Sequence, residues 1–221
     1  MSNTIQVPET ETVATTHDGP KRKQMLILNL ISKECKVEID QIVAAADMLN
    51  VDCVRSEPIT KEQDLIDELA KGMVYDYVYV AGHGSSDGLC GDKDFCMSWV
   101  DFSEHVCDVQ ALNSGCVFLL ACCGGGMMRV AVDVFIGCPN IEYVFGPRWL
   151  VHAQDITAAF HVFMYNMEFR QCQPDQAAAR ASDATGYDFH CFDRFETEQT
   201  QHYYDRFIHH CLLYTSDAAD E

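Results

Sequence analysis

Two apolar runs constrain the fold of this chain more than anything else in it. Residues 75–81 read Tyr-Asp-Tyr-Val-Tyr-Val-Ala, and residues 116–121 read Cys-Val-Phe-Leu-Leu-Ala. A short run that is apolar at both odd and even positions suits a strand covered on both faces, as central strands of parallel sheets are. Each run stops at glycines: Gly82-His83-Gly84 after the first, Cys122-Cys123-Gly124-Gly125-Gly126 after the second. Met25 to Leu30, behind a basic tripeptide, predicts a further buried strand, and Val51 to Val54 and Ile141 to Phe145 predict two more. Gly146-Pro147 closes the last of these. Between them apolar residues recur at helical spacing. Ile39, Ile42, Val43, Ala46 and Leu49 mark one helix within 35–50. Leu65, Ile66 and Leu69 mark another, opened by a Thr60–Gln63 capping box. Residues 126–135 and the Ala-rich 175–184 also read as helices. Asp155 is expected to cap a long helix that shows Ile156, Ala159, Phe160, Phe163, Met164 and Met167 on one face.

Strands that alternate with helices predict an α/β fold of three layers, α/β/α, with a mostly parallel central sheet. The 221 residues, 48% of them hydrophobic, suit a single domain. Residues 1–23 are rich in Thr, Glu, Pro and Lys without periodicity and read as a disordered tail. Residues 24–210 are expected to form the domain, although the aromatic and polar stretch after residue 184 shows no assignable pattern. Residues 211–221 resemble the translation of a common transposase sequencing adapter, which makes them a non-native tail and the natural chain truncated near His210.

Charge and composition exclude several partners. A net charge of −19 repels phosphate backbones, so no nucleic acid is expected. No apolar run approaches the roughly 20 residues that span a bilayer, and Met1-Ser2-Asn3-Thr4 opens without an apolar segment, so neither membrane insertion nor secretion is expected. A cytoplasmic, reducing setting follows, with most of the twelve cysteines serving as small core hydrophobes.

In an open parallel sheet, ligands bind beyond the carboxyl ends of the strands. Here one strand end delivers a histidine between two glycines and a later one delivers a cysteine pair into a glycine-rich turn. A free thiol has a pKa of about 8.5 and needs an imidazole to take its proton and return it to a leaving amine. Uncovered amides, those of Gly84 and Cys122, are suited to receive a developing oxyanion. The triple glycine before a helix lacks the Lys-Ser or Lys-Thr of a phosphate loop, and the cysteines lack the paired spacing of structural zinc sites, so no metal is expected.

The segments around His83-Gly84 and Ala121-Cys122-Cys123-Gly124 resemble the His-Gly and Ala-Cys motifs of the caspase-like cysteine peptidase clan, especially its CHAT-type and short prokaryotic members. Trp149-Leu150-Val151, the helix opened by Asp155 and the Ala-rich helix follow in the order seen there. The resemblance covers roughly residues 24–190. It implies a cysteine endopeptidase with a His83–Cys122 dyad, or Cys123 in an alignment to metacaspase-type Cys-Cys patterns. It needs no cofactor, takes a protein or peptide substrate, and often acts beside sensor or effector partner proteins. Arg148, Trp149 and Asp155 are its candidate substrate-binding residues. Leu120 stands where caspases have glutamine and metacaspase-like members an acid, so the specificity of neither is implied. Asp87 and Asp92 lie in the loop after His83, where they can orient the imidazole or simply be solvated. Two other classes fit the same alternation: a non-catalytic interaction scaffold of the same fold, and a flavodoxin-like nucleotide or flavin binder.

Overall fold

The computed structural model describes residues 21–31, 35–92, 95–108 and 110–217, with side chains to residue 210. Of the tail read over residues 1–23, residues 1–20 lie outside these, as do the side chains of the adapter-like stretch; of the rest, Lys23 opens the first strand and Arg22 pairs with Asp47 at 2.8 Å and Asp52 at 3.1 Å. The chain runs β1 (Lys23–Asn29), α1 (Lys36–Met48), β2 (Val51–Arg55), α2 (Glu62–Leu69), β3 (Tyr75–Ala81), β4 (His83–Gly84), β5 (Gly88–Cys90), β6 (Cys96–Ser98) and α3 (Trp99–Asp108). It continues through β7 (Leu112–Ala121), α4 (Met128–Gly137), β8 (Ile141–Pro147) and α5 (Ala153–Met164), which a π-helical turn at Tyr165–Phe169 extends. It ends with α6 (Pro174–Thr185), β9 (Phe189–Asp193), α7 (Arg194–Glu198) and α8 (Gln201–Asp217).

The central sheet has the order β2-β1-β3-β7-β8-β9, parallel throughout except for β9, which runs antiparallel to β8 at the edge. Side chains alternate between its two faces. Leu26, Leu28, Val78, Val80, Phe118 and Leu120 pack on one side, with α2, α3 and α4. Met25, Ile27, Tyr79, Ala81, Leu119 and Ala121 pack on the other, with α1, α5 and α6. This is the three-layer α/β/α fold that the alternation of elements predicts. On the α5 side Phe145 stacks on Phe163 at 3.9 Å and meets Phe160 edge-on at 5.0 Å. Burying rings of this size contributes about 2 kcal/mol each, which holds α5 against the sheet.

Four local features depart from the sequence reading. The amide and hydroxyl of Thr60 both donate to the Asp64 carboxylate at 2.9 Å, not to Gln63, because an ionised acceptor outcompetes a neutral amide. Asp155 does not cap α5: His152 flanks the helix, and Asp155 sits in its first turn, where it complements the helix dipole. Residues 83–108 hold a second, three-stranded antiparallel sheet, β4-β5-β6, and the helix α3. The unassigned stretch contributes β9, α7 and α8. Arg194 anchors it by donating to the carbonyls of Phe135 and Cys138, acceptors left open at the end of α4, and to that of Ile141 at the start of β8. Among the described residues no helix is long and apolar enough to cross a membrane.

Candidate active site

The two runs that define the sheet are neighbours in it. β3 and β7 pair in register up to the rung Ala81↔Ala121, and both chains then leave the sheet at its carboxyl rim. His83 and Cys123 each stand two residues beyond that rung. His83 is exposed and belongs to β4, which pairs with β5 through His83↔Cys90 and Gly84↔Leu89. The histidine is therefore carried by a small sheet of its own that stands over the rim. The loop after it is fixed by Trp99, a fully buried residue whose indole N–H donates to the Ser85 carbonyl at 2.9 Å. The Ser85 amide donates to the Gly88 carbonyl at 3.0 Å. Trp99 opens α3 and shares its buried face with Phe102 and Val106, a helical spacing that marks a core position and carries no sign of a role at the rim.

The cysteine turn is built as tightly. Gly124 has φ +74°, a conformation open to glycine and costly for other residues, and the chain there reverses from β7 into α4. The Gly125 amide donates to the Cys122 carbonyl at 3.2 Å, and the Gly126 amide to the Pro147 carbonyl at 2.9 Å, which ties the turn to the end of β8. Gly84 lies directly against it: a Cβ built there would fall 2.7 Å from the Cys122 sulfur and 2.7 Å from the Cys123 carbonyl oxygen. The histidine loop and the cysteine turn are thus in van der Waals contact through a residue without a side chain.

The two cysteines differ in environment. Cys122 continues the alternation of Phe118 and Leu120 into the α2–α4 core and is 1% exposed. Burial pushes its thiol well above the ordinary range, and Cys123 and Glu38 add to the push. A thiol held neutral in this way is a poor nucleophile. Cys123, in the opposite phase, is only half-buried. Below the rim on the α1 side, Glu38 is 5% exposed and accepts a hydrogen bond of 2.5 Å from the Tyr79 hydroxyl. Burial raises its carboxyl to about 7.

The chain matches no known family model. A search of the curated proteins also finds no match. The rim must be read from its own geometry.

Arg148, Trp149 and Leu150 follow β8 directly, beside the glycine turn. Trp149 is 59% and Leu150 82% exposed, and the Arg148 guanidinium lies over the indole at 5.4 Å. Arg148 also donates its amide to the Asp188 carbonyl and faces the Asp188 carboxylate at 3.6 Å, which His190 shares at 2.9 Å. Asp155 is half-buried at the start of α5. Asp87 pairs with Arg129 of α4 at 3.0 Å, and the Asp92 amide donates to the Leu30 carbonyl. A hollow of about 830 Å³ lies away from this rim, between α1 and α5, lined by Ala45, Met48, Leu49, Ala158 and Val162. It is mainly apolar, and its one histidine, His161, is engaged with the Gln41 carbonyl, so it offers nothing for acid–base work.

Proposed function

We propose that the chain is a cysteine endopeptidase of caspase-like type, with Cys123 as the nucleophile and His83 as its acid–base partner. The observation that carries the reading is the shared rung: His83 and Cys123 stand two residues past Ala81 and Ala121, paired at the ends of adjacent parallel strands. The sequence motif alone favoured Cys122. Its burial in the core moves the role to Cys123, the other cysteine of the pair.

The steps follow from general chemistry. The His83 imidazole takes the Cys123 proton, and the thiolate attacks the scissile carbonyl. The Gly84 and Cys122 amides receive the developing oxyanion, the Gly125 and Gly126 amides being engaged with the Cys122 and Pro147 carbonyls. The imidazolium then protonates the leaving amine as the C–N bond breaks. Water, deprotonated by the same imidazole, hydrolyses the thioester and frees Cys123. Exposed Trp149 and Leu150, with Arg148, supply a surface for the substrate chain beside the turn. None of these steps needs a cofactor. The substrate is a protein or peptide, sensor or effector proteins are the natural partners, and the cytoplasm, which keeps a thiol such as Cys123 reduced, is the fitting setting. Incubation with a fluorogenic peptide library tests the reading: cleavage that Cys123→Ala abolishes supports it, and a wild-type protein that cleaves no peptide and takes up no thiol-directed peptidyl probe refutes it.

A further inference from the structure

We propose that Cys90 and Cys96 form a thiol–disulfide switch that sets the placement of His83 and, through it, the reactivity of Cys123; its functional consequence rests on the peptidase reading above. The two sulfurs are bonded to each other, with 4.2 Å between the α-carbons. In the small sheet Cys90 is the register partner of Cys96 on one side and of His83 on the other. One rung therefore runs from the disulfide to the histidine. Among the described residues β4, two residues long, pairs with β5 alone, so no other described strand holds His83. β6 reaches His83 by a second path as well. It leads straight into α3, whose Trp99 holds the Ser85 carbonyl two residues after the histidine. Within the segment the bond closes, the Gly91 amide donates to the Phe95 carbonyl, and the Asp92 amide ties the segment to the Leu30 carbonyl just past β1, both at 2.8 Å. Joining β5 to β6 thus stiffens both supports of the imidazole at once.

The pair is also placed to be broken and remade. Cys96 is exposed and Cys90 half-buried, and accessible disulfides are the labile ones. Cys96 lines a hollow with four carboxylates, Glu62, Asp101, Glu104 and Asp108, and one histidine, His105, which pairs with Glu62 at 2.7 Å. Those carboxylates disfavour the approach of an anionic thiol such as glutathione, so an uncharged thiol is the faster reductant. In reduction, the reductant's thiolate attacks the exposed Cys96 sulfur, and the S–S electron pair leaves on Cys90, which takes a proton. A second reductant thiolate displaces Cys96, which takes a proton in turn, and the reductant departs as its disulfide with two electrons given up. Oxidation is the reverse, with a small disulfide as the electron acceptor.

The test equilibrates the full chain in graded ratios of 2-mercaptoethanol to its disulfide, both uncharged. Peptide mass mapping then gives the fraction of Cys90–Cys96 and the rate at which free Cys123 takes iodoacetamide, with any mercaptoethanol adduct separated by mass. The expected result is one two-electron transition at Cys90–Cys96, with Cys123 alkylation falling severalfold on reduction. A folded Cys90→Ser/Cys96→Ser double variant stays at the low rate at every ratio. A pair that never forms the bond, or a Cys123 rate equal in both states, overturns the switch. Peptide cleavage measured in parallel separates the two claims. Redox-dependent alkylation without any cleavage contradicts the peptidase reading alone, and cleavage that ignores the redox state contradicts the switch alone.

Discussion

Gly84 is packed so closely on Cys122 that a methyl group on its α-carbon would sit 2.7 Å from the sulfur and 3.0 Å from the Cys122 β-carbon. Real contacts at such distances are repulsive, so the histidine loop can approach the cysteine turn only while residue 84 is glycine. Gly84→Ala must push the two loops apart. It is expected to destabilise the fold by about 1–3 kcal/mol, the range for overpacking, and to slow Cys123 alkylation even in protein that remains folded. Denaturant melts alongside peptide-resolved alkylation check both halves. Unchanged alkylation in the folded variant would show that the loop contact does not set the reactivity of Cys123.

Glu38 gives the fold a pH dependence of predictable sign. Its folded-state carboxyl is raised to about 7 from an ordinary value of 4.5, first by burial, with the Tyr79 hydrogen bond opposing. Between those two values the folded state holds a proton that the unfolded chain has lost. The stability associated with the neutral carboxyl is fully present below about pH 4.5 and is lost as pH rises through 7. The loss is on the order of 3 kcal/mol, from about 1.4 kcal/mol per pH unit. Glu38→Gln, which keeps an acceptor for Tyr79, should melt at a higher denaturant concentration than wild type at pH 8 and match it near pH 4.5. A variant that tracks the wild type across this range would place the titration elsewhere.

Trp149 is expected to serve the substrate rather than the fold. With 59% of its surface exposed and Arg148 lying over it, truncation removes little buried area. Trp149→Ala should change stability by no more than about 0.5 kcal/mol while raising KM severalfold with kcat nearly constant, the pattern of lost uniform binding. Arg148 faces Asp188 at 3.6 Å with both side chains about half exposed, so their pairing adds at most about 1 kcal/mol, reduced further by solvent screening. A large stability loss in either variant would make these residues structural.

How much of this was legible in the sequence depended on the range of the forces involved. β1, β3 and β7 announced themselves because burial on both faces demands apolar residues at every position, as Val78, Tyr79, Phe118 and Leu119 show. The motif residues His83, Cys122, Cys123 and Gly84 were found because each strand end breaks into glycine. The small sheet β4–β6 stayed hidden, since its strands are two or three residues long, too short for any period to register. β9 was missed because it is an edge strand with one well-buried residue, Phe189. Asp155 misled because an acid near a helix start serves equally as cap or first-turn charge, and only the backbone at His152 decides. The choice between Cys122 and Cys123 needed the phase of β7: with Phe118 and Leu120 turned into the α2–α4 core, Cys122 follows them. Motif spacing carries no such phase. The Cys90–Cys96 bond likewise depends on a strand register that no linear pattern specifies.

The measurement that bears most directly on the account is peptide cleavage by four proteins side by side: wild type, His83→Ala, Cys123→Ala and Cys122→Ala, each confirmed folded. The account predicts that Cys123→Ala is inactive, that His83→Ala loses a factor on the order of 10²–10⁴, as for removal of a general base, and that Cys122→Ala keeps activity within severalfold while losing about 1 kcal/mol of stability from the vacated core volume. Full activity in Cys123→Ala together with an inactive Cys122→Ala would contradict it.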